Sequence, residues 1–143
     1  MRGVFDTVIF VRGLINPLSP CGRLVFDHND EYVLIVSPDM VTEYLDVLNR
    51  PEVAARYRSA ADRDLSMVLR MIANAKIVEP PQTPAICRDP EDDKFLAAAV
   101  AGAARFIVSE DLDLLALGNH AEIPILSAVQ TLRILAKPST SRN

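Results

Sequence analysis

The chain has 143 residues, enough for one domain with a real core. Residues 1–137 are expected to form it, and 138–143 a flexible polar tail. Hydrophobic residues make up 50% and aromatics 6%, which excludes a disordered chain and leads us to expect a mainly aliphatic core. The formal charge of −4 speaks against a protein that holds nucleic acid by bulk basic charge. Cys21 and Cys87, with no Cys-x-x-Cys pair, exclude a disulfide framework and a zinc knuckle. No signal peptide is visible, and no apolar run approaches the roughly 20 residues of a membrane span. A soluble, cytoplasmic protein is expected, with no membrane contact.

The opening Gly3-Val4-Phe5 reads as a first strand ending at Asp6. A helix over Val8–Leu14 is stopped by Asn16-Pro17, and a short helix over Pro20–Phe26 follows. Tyr32–Val36 is a continuous, β-branched run and reads as a buried strand. Ser37-Pro38 then sets an N-cap and first helical position for a helix bearing Val41, Leu45 and Leu48 on one face. Leu65, Val68, Leu69 and Ile72 recur at helical spacing within a helix over Ala60–Ala75. A Pro-rich connector from Glu79 to Pro84 leads to the acidic start Asp89-Pro90-Glu91-Asp92-Asp93, and Leu96, Ala99, Val100 and Ala103 continue as a helix. Arg105–Val108 reads as a strand, Leu112–Leu117 as a helix, Ile123–Leu126 as a strand and Val129–Leu135 as a last helix. This alternation predicts an α/β fold of three layers, α/β/α, around a central, mainly parallel sheet.

In such folds ligands bind beyond the carboxyl ends of the strands. Asp6 ends the first strand, Asp111 comes three residues after Val108, and Glu43 lies in the second turn of the helix after Val36. A helix from Asp93 to about Gly102 rises roughly 14 Å. The strand returning from it covers roughly 13 Å, so Asp93 and Asp111 are expected at one edge with Asp6 and Glu43. Four converging carboxylates repel, and a divalent cation removes the conflict. Oxygen ligands without His or Cys suit Mg2+ or Mn2+, and such ions at a strand edge suit phosphate chemistry. Each acid alone has an ordinary alternative. Seven of the nineteen acids fall between Asp89 and Asp113. Asp89, Glu91 and Asp92 read as first-turn acids favoured by the helix dipole, and Asp113 as a solvated helix residue. Glu43 borders its helix's apolar face, and periodicity leaves it undecided.

These residues resemble the PIN-domain family, which includes VapC-type toxins of toxin–antitoxin pairs. Val4-Phe5-Asp6-Thr7 is similar to the family's strand ending in Asp-Thr, and Ser37 to Leu45 to its Ser-x-x-apolar-x-x-Glu helix. Asp89 to Ala99 is similar to its third acidic segment, and Arg105 to Asp111 to the segment whose Ser-x-Asp carries the fourth acid. The resemblance implies a PIN-like fold and a metal-dependent endoribonuclease, the toxin of such a pair. Asp6, Glu43, Asp93 and Asp111 would be its catalytic, metal-holding acids. Thr7 and Ser109 would orient the surroundings of the metal, or else serve as plain helix caps. One residue departs from the pattern: Val8 stands where the family usually has Asn, and Val offers no hydrogen bond.

RNA contact follows mainly from the resemblance. Twelve of the fifteen basic residues are Arg, the better phosphate fork. Arg12 and Arg23, near the first acid, are the candidates for binding RNA, and Arg50, Arg56, Arg58, Arg63 and Arg70 form a helical group that reads equally as a solvated face. The expected partners are RNA, an antitoxin protein and a second copy of the chain. The helix faces at 44–57 and 65–72 are candidates for the protein contacts, although such faces are more often core. His28 and His120 read as surface residues apart from the acids, and neither cysteine has an evident base. A haloacid-dehalogenase-like phosphatase would want Asp at position 8, a receiver domain a paired acid and a late Lys, and a nucleotide loop a Gly-rich run; none is present. The stronger rival is a PIN-like subunit that no longer cleaves and serves in binding or assembly, a reading that Val8 favours.

Overall fold

The computed structural model describes residues 1–57 and 62–136. Its sheet has the order β3-β2-β1-β4-β6-β5. The strands are β1 (Arg2–Phe5), β2 (Val33–Val36), β3 (Lys76–Ile77), β4 (Phe106–Val108), β5 (Asn119–His120) and β6 (Ile123–Leu126). All neighbouring pairs are parallel except β5 with β6. β1 and β4 lie side by side in the centre, with Gly3 opposite Phe106 and Phe5 opposite Val108. Val4, Phe5, Ile107 and Val108 are fully buried, as expected of strands covered on both faces.

The helices follow the sequence reading closely: α1 (Thr7–Ile15), α2 (Pro20–Phe26), α3 (Pro38–Leu48), α6 (Asp93–Ala101), α7 (Leu112–Leu117) and α8 (Ala128–Ala136). Between them come α4 (Pro51–Tyr57) and α5 (Asp62–Ala73), and a single 3-10 turn, Pro90–Asp92, precedes α6. α1 packs on α2 and α2 on α8, while α6 lies against β1, β2 and β4, which completes the three-layer α/β arrangement. Residues 60 and 61, expected to open α5, and the tail from 137 onward lie outside the described residues. Among the described residues no helix is long and apolar enough to cross a membrane.

Two features differ from the sequence reading. The edge strand β3 and the β5–β6 hairpin are two-residue pairings too short to leave a periodic signal, and both β3 residues are exposed. α4 is a separate helix because Pro51 restarts the chain after Asn49 caps α3. The core is mainly aliphatic, as the composition suggests, with four of its aromatics gathered in one place. Phe5 packs against Phe10 and Tyr32 at centroid distances of 5.6 and 5.2 Å, and Phe10 meets Tyr44 edge-on at 5.1 Å. The apolar faces at 44–57 and 65–72 are largely core: Tyr44, Leu48, Val68 and Ile72 are buried, while Leu45 and Leu69 remain partly exposed.

The chain runs outward from β1 through β2 to β3, then returns to the other side of β1 as β4. The strand order therefore switches direction between β1 and β4, where a crevice opens at their carboxyl ends. Tyr44 ties the next element to that crevice. Its hydroxyl, wholly buried, donates to the Phe5 carbonyl and so links α3 to the end of β1. Tyr44→Phe should cost about 1–2 kcal/mol in denaturant unfolding, because a buried acceptor is left without its donor. An unchanged unfolding midpoint would contradict that link.

Candidate functional site

The crevice is built from the strand ends upward. The Asp6 N–H donates to the Val108 carbonyl at 2.9 Å, so Asp6 leaves β1 beside the point where Ser109 leaves β4. The Ser109 hydroxyl is fully buried and donates to Asp6 Oδ2 at 2.8 Å. Ser109 Oγ in turn accepts from the Asp111 N–H at 3.0 Å. Ser109 thus holds a carboxylate and shapes the turn into α7. Asp111 caps α7 by accepting from the Asp113 N–H at 2.7 Å.

Glu43 arrives from α3. Its carboxylate accepts from the Thr7 hydroxyl and forms a 2.7 Å ion pair with Lys94. Lys94 also pairs with Glu91 at 3.1 Å. Burial works to lower the Lys94 pKa, but these two glutamates outweigh it and hold the ammonium charged.

A cleft of about 450 Å³ is lined by Asp6, Glu43, Asp92 and Asp111, with Arg12 and Arg50 among its other walls. Asp6, Glu43 and Asp111 meet there as the sequence predicts. Asp93 does not. Its Oδ1 accepts from the backbone N–H groups of Cys87 and Ile86 at 2.7 and 3.1 Å. Burial pushes the Asp93 carboxyl up, but the Cys87 and Ile86 hydrogen bonds and the nearby His120 bring it below the usual range. The Asp93 carboxylate fastens the loop before α6, while Asp92, its neighbour, lines the cleft. Asp92, read from sequence as a helix-start acid, makes no capping hydrogen bond. Asp89 does cap, accepting from the Glu91 N–H at 3.0 Å.

Val8 lines the cleft and is 40% exposed, leaving an apolar wall where the family pattern has Asn. Arg12 is on the cleft wall, while Arg23 is exposed on α2 and is not among the residues lining the cleft. Arg50 borders the cleft and pairs with Asp46 at 2.9 Å. Arg58 lies outside the described residues. His28 pairs with Glu31, and His120, expected apart from the acids, acts on Asp93. The Cys21 and Cys87 thiols are pushed up to about 12 by burial first and then by neighbouring carboxylates, which removes them as nucleophiles at neutral pH.

A family comparison gives this geometry its context. The PIN domain family matches residues 2–113. The chain belongs to the PIN-domain family. That family is generally one of nucleases, which are hydrolases. An uncharacterized protein of Methanocaldococcus jannaschii, MJ1680, is 29% identical over 123 residues, covering 84% of this chain and 77% of that relative. In fold this PIN domain is similar to a chain of VapBC2 from Rickettsia felis, solved bound to a DNA fragment from their promoter. The TM-score is 0.56 at 10% identity, over 89% of this chain and 98% of that one.

Does the cleft suit a divalent cation? Among the described residues, no three His, Cys, Asp or Glu side chains are already gathered closely enough to hold one. The donor chemistry nevertheless fits a hard cation, being carboxylate oxygen only. Desolvation chiefly, then the charges of Glu43 and Asp111, raise the Asp6 carboxyl against the lowering effect of Ser109. Burial, then Asp6, Asp89, Asp111 and Glu43, push Asp92 up to about 7. These acids are short of positive charge, and a cation or protons would supply it.

A carboxyl with a folded pKa near 7 binds more protons in the native than in the unfolded state at intermediate pH. Its contribution to stability is full below the unfolded value and is lost as pH climbs through the folded one. Metal-free protein should therefore lose melting temperature as pH rises from about 4 to 7. Asp92→Asn, measured with chelator present, should flatten this slope and melt higher at pH 8 than the parent. An equal slope in both proteins would place Asp92 outside the cluster.

Proposed function

We propose that the chain is a metal-dependent endoribonuclease whose ion is held by Asp6, Asp92 and Asp111, with Glu43 beside them in the cleft. The observation that carries this reading is the gathering of acids from separate chain segments at the β1–β4 switch point, with an all-oxygen donor set and two carboxyls raised by burial and mutual repulsion. Mg2+ and Mn2+ are the ions of choice for such donors. When bound, the ion supplies polarisation of a phosphoryl oxygen and a more acidic water.

The chain's own residues do the rest. Ser109 donates to Asp6 and fixes the direction of its carboxylate. Thr7 and Lys94 hold the Glu43 side chain in place at the cleft wall. Arg12 and Arg50 give the RNA backbone two guanidinium groups beside an acidic floor. They make contact with phosphate compatible with a net charge of −4, because attraction is needed at the cleft and not over the whole surface.

The toxin reading draws support from the fold likeness to VapBC2. It implies an antitoxin segment as partner, a second copy of the chain as the assembly, and the cytoplasm as the place of action. A short open reading frame immediately upstream of the gene would support that pairing. The second reading, a subunit that binds without cleaving, is favoured by one observation: Val8 puts an apolar side chain on the cleft wall.

A cleavage assay on several RNAs with millimolar Mn2+ separates them. Asp92→Asn should lower cleavage by about a hundred-fold or more, whereas loss of an outer partner costs roughly ten- to a hundred-fold. Asp93→Asn should keep activity within a few-fold, since an amide oxygen can still accept from Cys87 and Ile86, and should only lower stability by about 1 kcal/mol. No metal-dependent cleavage by the parent protein would favour the binding subunit, and loss confined to Asp93→Asn would overturn the assignment of the acids.

A further inference from the structure

Among the described ion pairs, Lys94 is the cation that closes on one of the acids lining the cleft. It sits on the first turn of α6, two residues after Asp92, with only 14% of its side chain exposed. The ammonium meets Glu43 Oε1 at 2.7 Å and Glu91 Oε2 at 3.1 Å, and it lies 5.8 Å from the centre of the Phe95 ring. Glu91 is exposed, with 79% of its side chain accessible, and is a weak partner. Glu43 is the strong one, because its side chain is 25% exposed and its second oxygen is taken by Thr7. Both Glu43 oxygens are therefore engaged, one by a hydroxyl and one by a cation.

We propose that Lys94 is a built-in counter-cation that keeps Glu43 turned to the protein and so sets how tightly the cleft binds its divalent ion. This inference rests on the metal-site reading above. One consequence follows from the geometry. Glu43 reaches an ion only by giving up the Lys94 pair, so the ion is left to Asp6, Asp92 and Asp111. Lys94 is thus a positioning residue: it acts through Glu43 and touches neither ion nor RNA.

The test is the Mn2+ affinity of the full chain, read by calorimetry and by the loss of the free-Mn2+ electron paramagnetic resonance signal, with no RNA present. Lys94→Met keeps the apolar stem and removes the charge. It should bind Mn2+ more tightly by roughly three- to ten-fold, the effect of a unit charge a few ångströms away in a half-solvated cleft. Lys94→Arg should stay within about two-fold of the parent, because a guanidinium restores the pair. In Lys94→Met with Glu43→Gln the gain should disappear, since no freed carboxylate remains. Circular dichroism on each variant ensures that folded proteins are compared. Equal or weaker Mn2+ binding by folded Lys94→Met overturns the proposal, and so does a gain that survives Glu43→Gln. If the parent binds Mn2+ and Asp92→Asn does not, the metal-site reading stands whatever Lys94 does. If the parent binds no Mn2+, both ideas fall together.

Discussion

The rung between Asp6 and Val108 is the constraint on which the rest depends. One backbone hydrogen bond of 2.9 Å, at the last position of the β1–β4 pairing, sets the register in which two strands end side by side. A slip of one residue would turn Asp6 to the other face and separate it from Ser109. Because the register holds, Ser109 reaches Asp6, Asp111 is brought round by the same hydroxyl, and the chain's two central acids share a crevice. α3 is then fastened to the end of β1 through Tyr44, and Glu43, the residue before it, comes with it. The aromatic cluster of Phe5, Phe10, Tyr32 and Tyr44 lies beneath these connections and gives the acids a stiff floor.

A stiff floor has an electrostatic consequence. Burial first, and then repulsion between acids that packing keeps together, surfaces as raised proton affinity at Asp6 and Asp92. The protein answers with local devices: the Ser109 hydroxyl on Asp6, the Thr7 hydroxyl and Lys94 ammonium on Glu43, and guanidinium groups at the cleft wall. A net charge of −4 is then no obstacle to phosphate chemistry, because positive charge is placed where the acids are.

Much of this is legible in the sequence, and what is not has physical reasons. The central strands are readable because strands buried on both faces are continuous apolar runs, and the helix starts at Pro20 and Pro38 are readable from their Ser-Pro caps. Asp6, Glu43 and Asp111 can be placed because each follows a strand. Asp92 and Asp93 cannot be told apart in this way. The length of helix against strand is matched only to within a residue, since one helical step is about 1.5 Å. The turn at Pro90–Asp92 is 3-10 and the helix after it is α, so the angular phase changes between the two acids and periodicity does not choose between them. What distinguishes them is a loop 6 and 7 residues upstream whose N–H groups need an acceptor, and that is a tertiary fact. The role of Lys94 is hidden for the same reason: its partner Glu43 lies on a different helix.

The proposed function has Asp6, Asp92 and Asp111 share one cation that their neighbour Asp93 does not touch. The most direct measurement is carboxyl-carbon NMR on protein labelled at aspartate, with Mn2+ added in small steps so that paramagnetic broadening marks the carboxylates nearest the ion. The resonances of Asp6, Asp92 and Asp111 should fade together at the lowest additions, and that of Asp93 later. Fading of Asp93 together with Asp6, with Asp92 left sharp, would contradict this assignment.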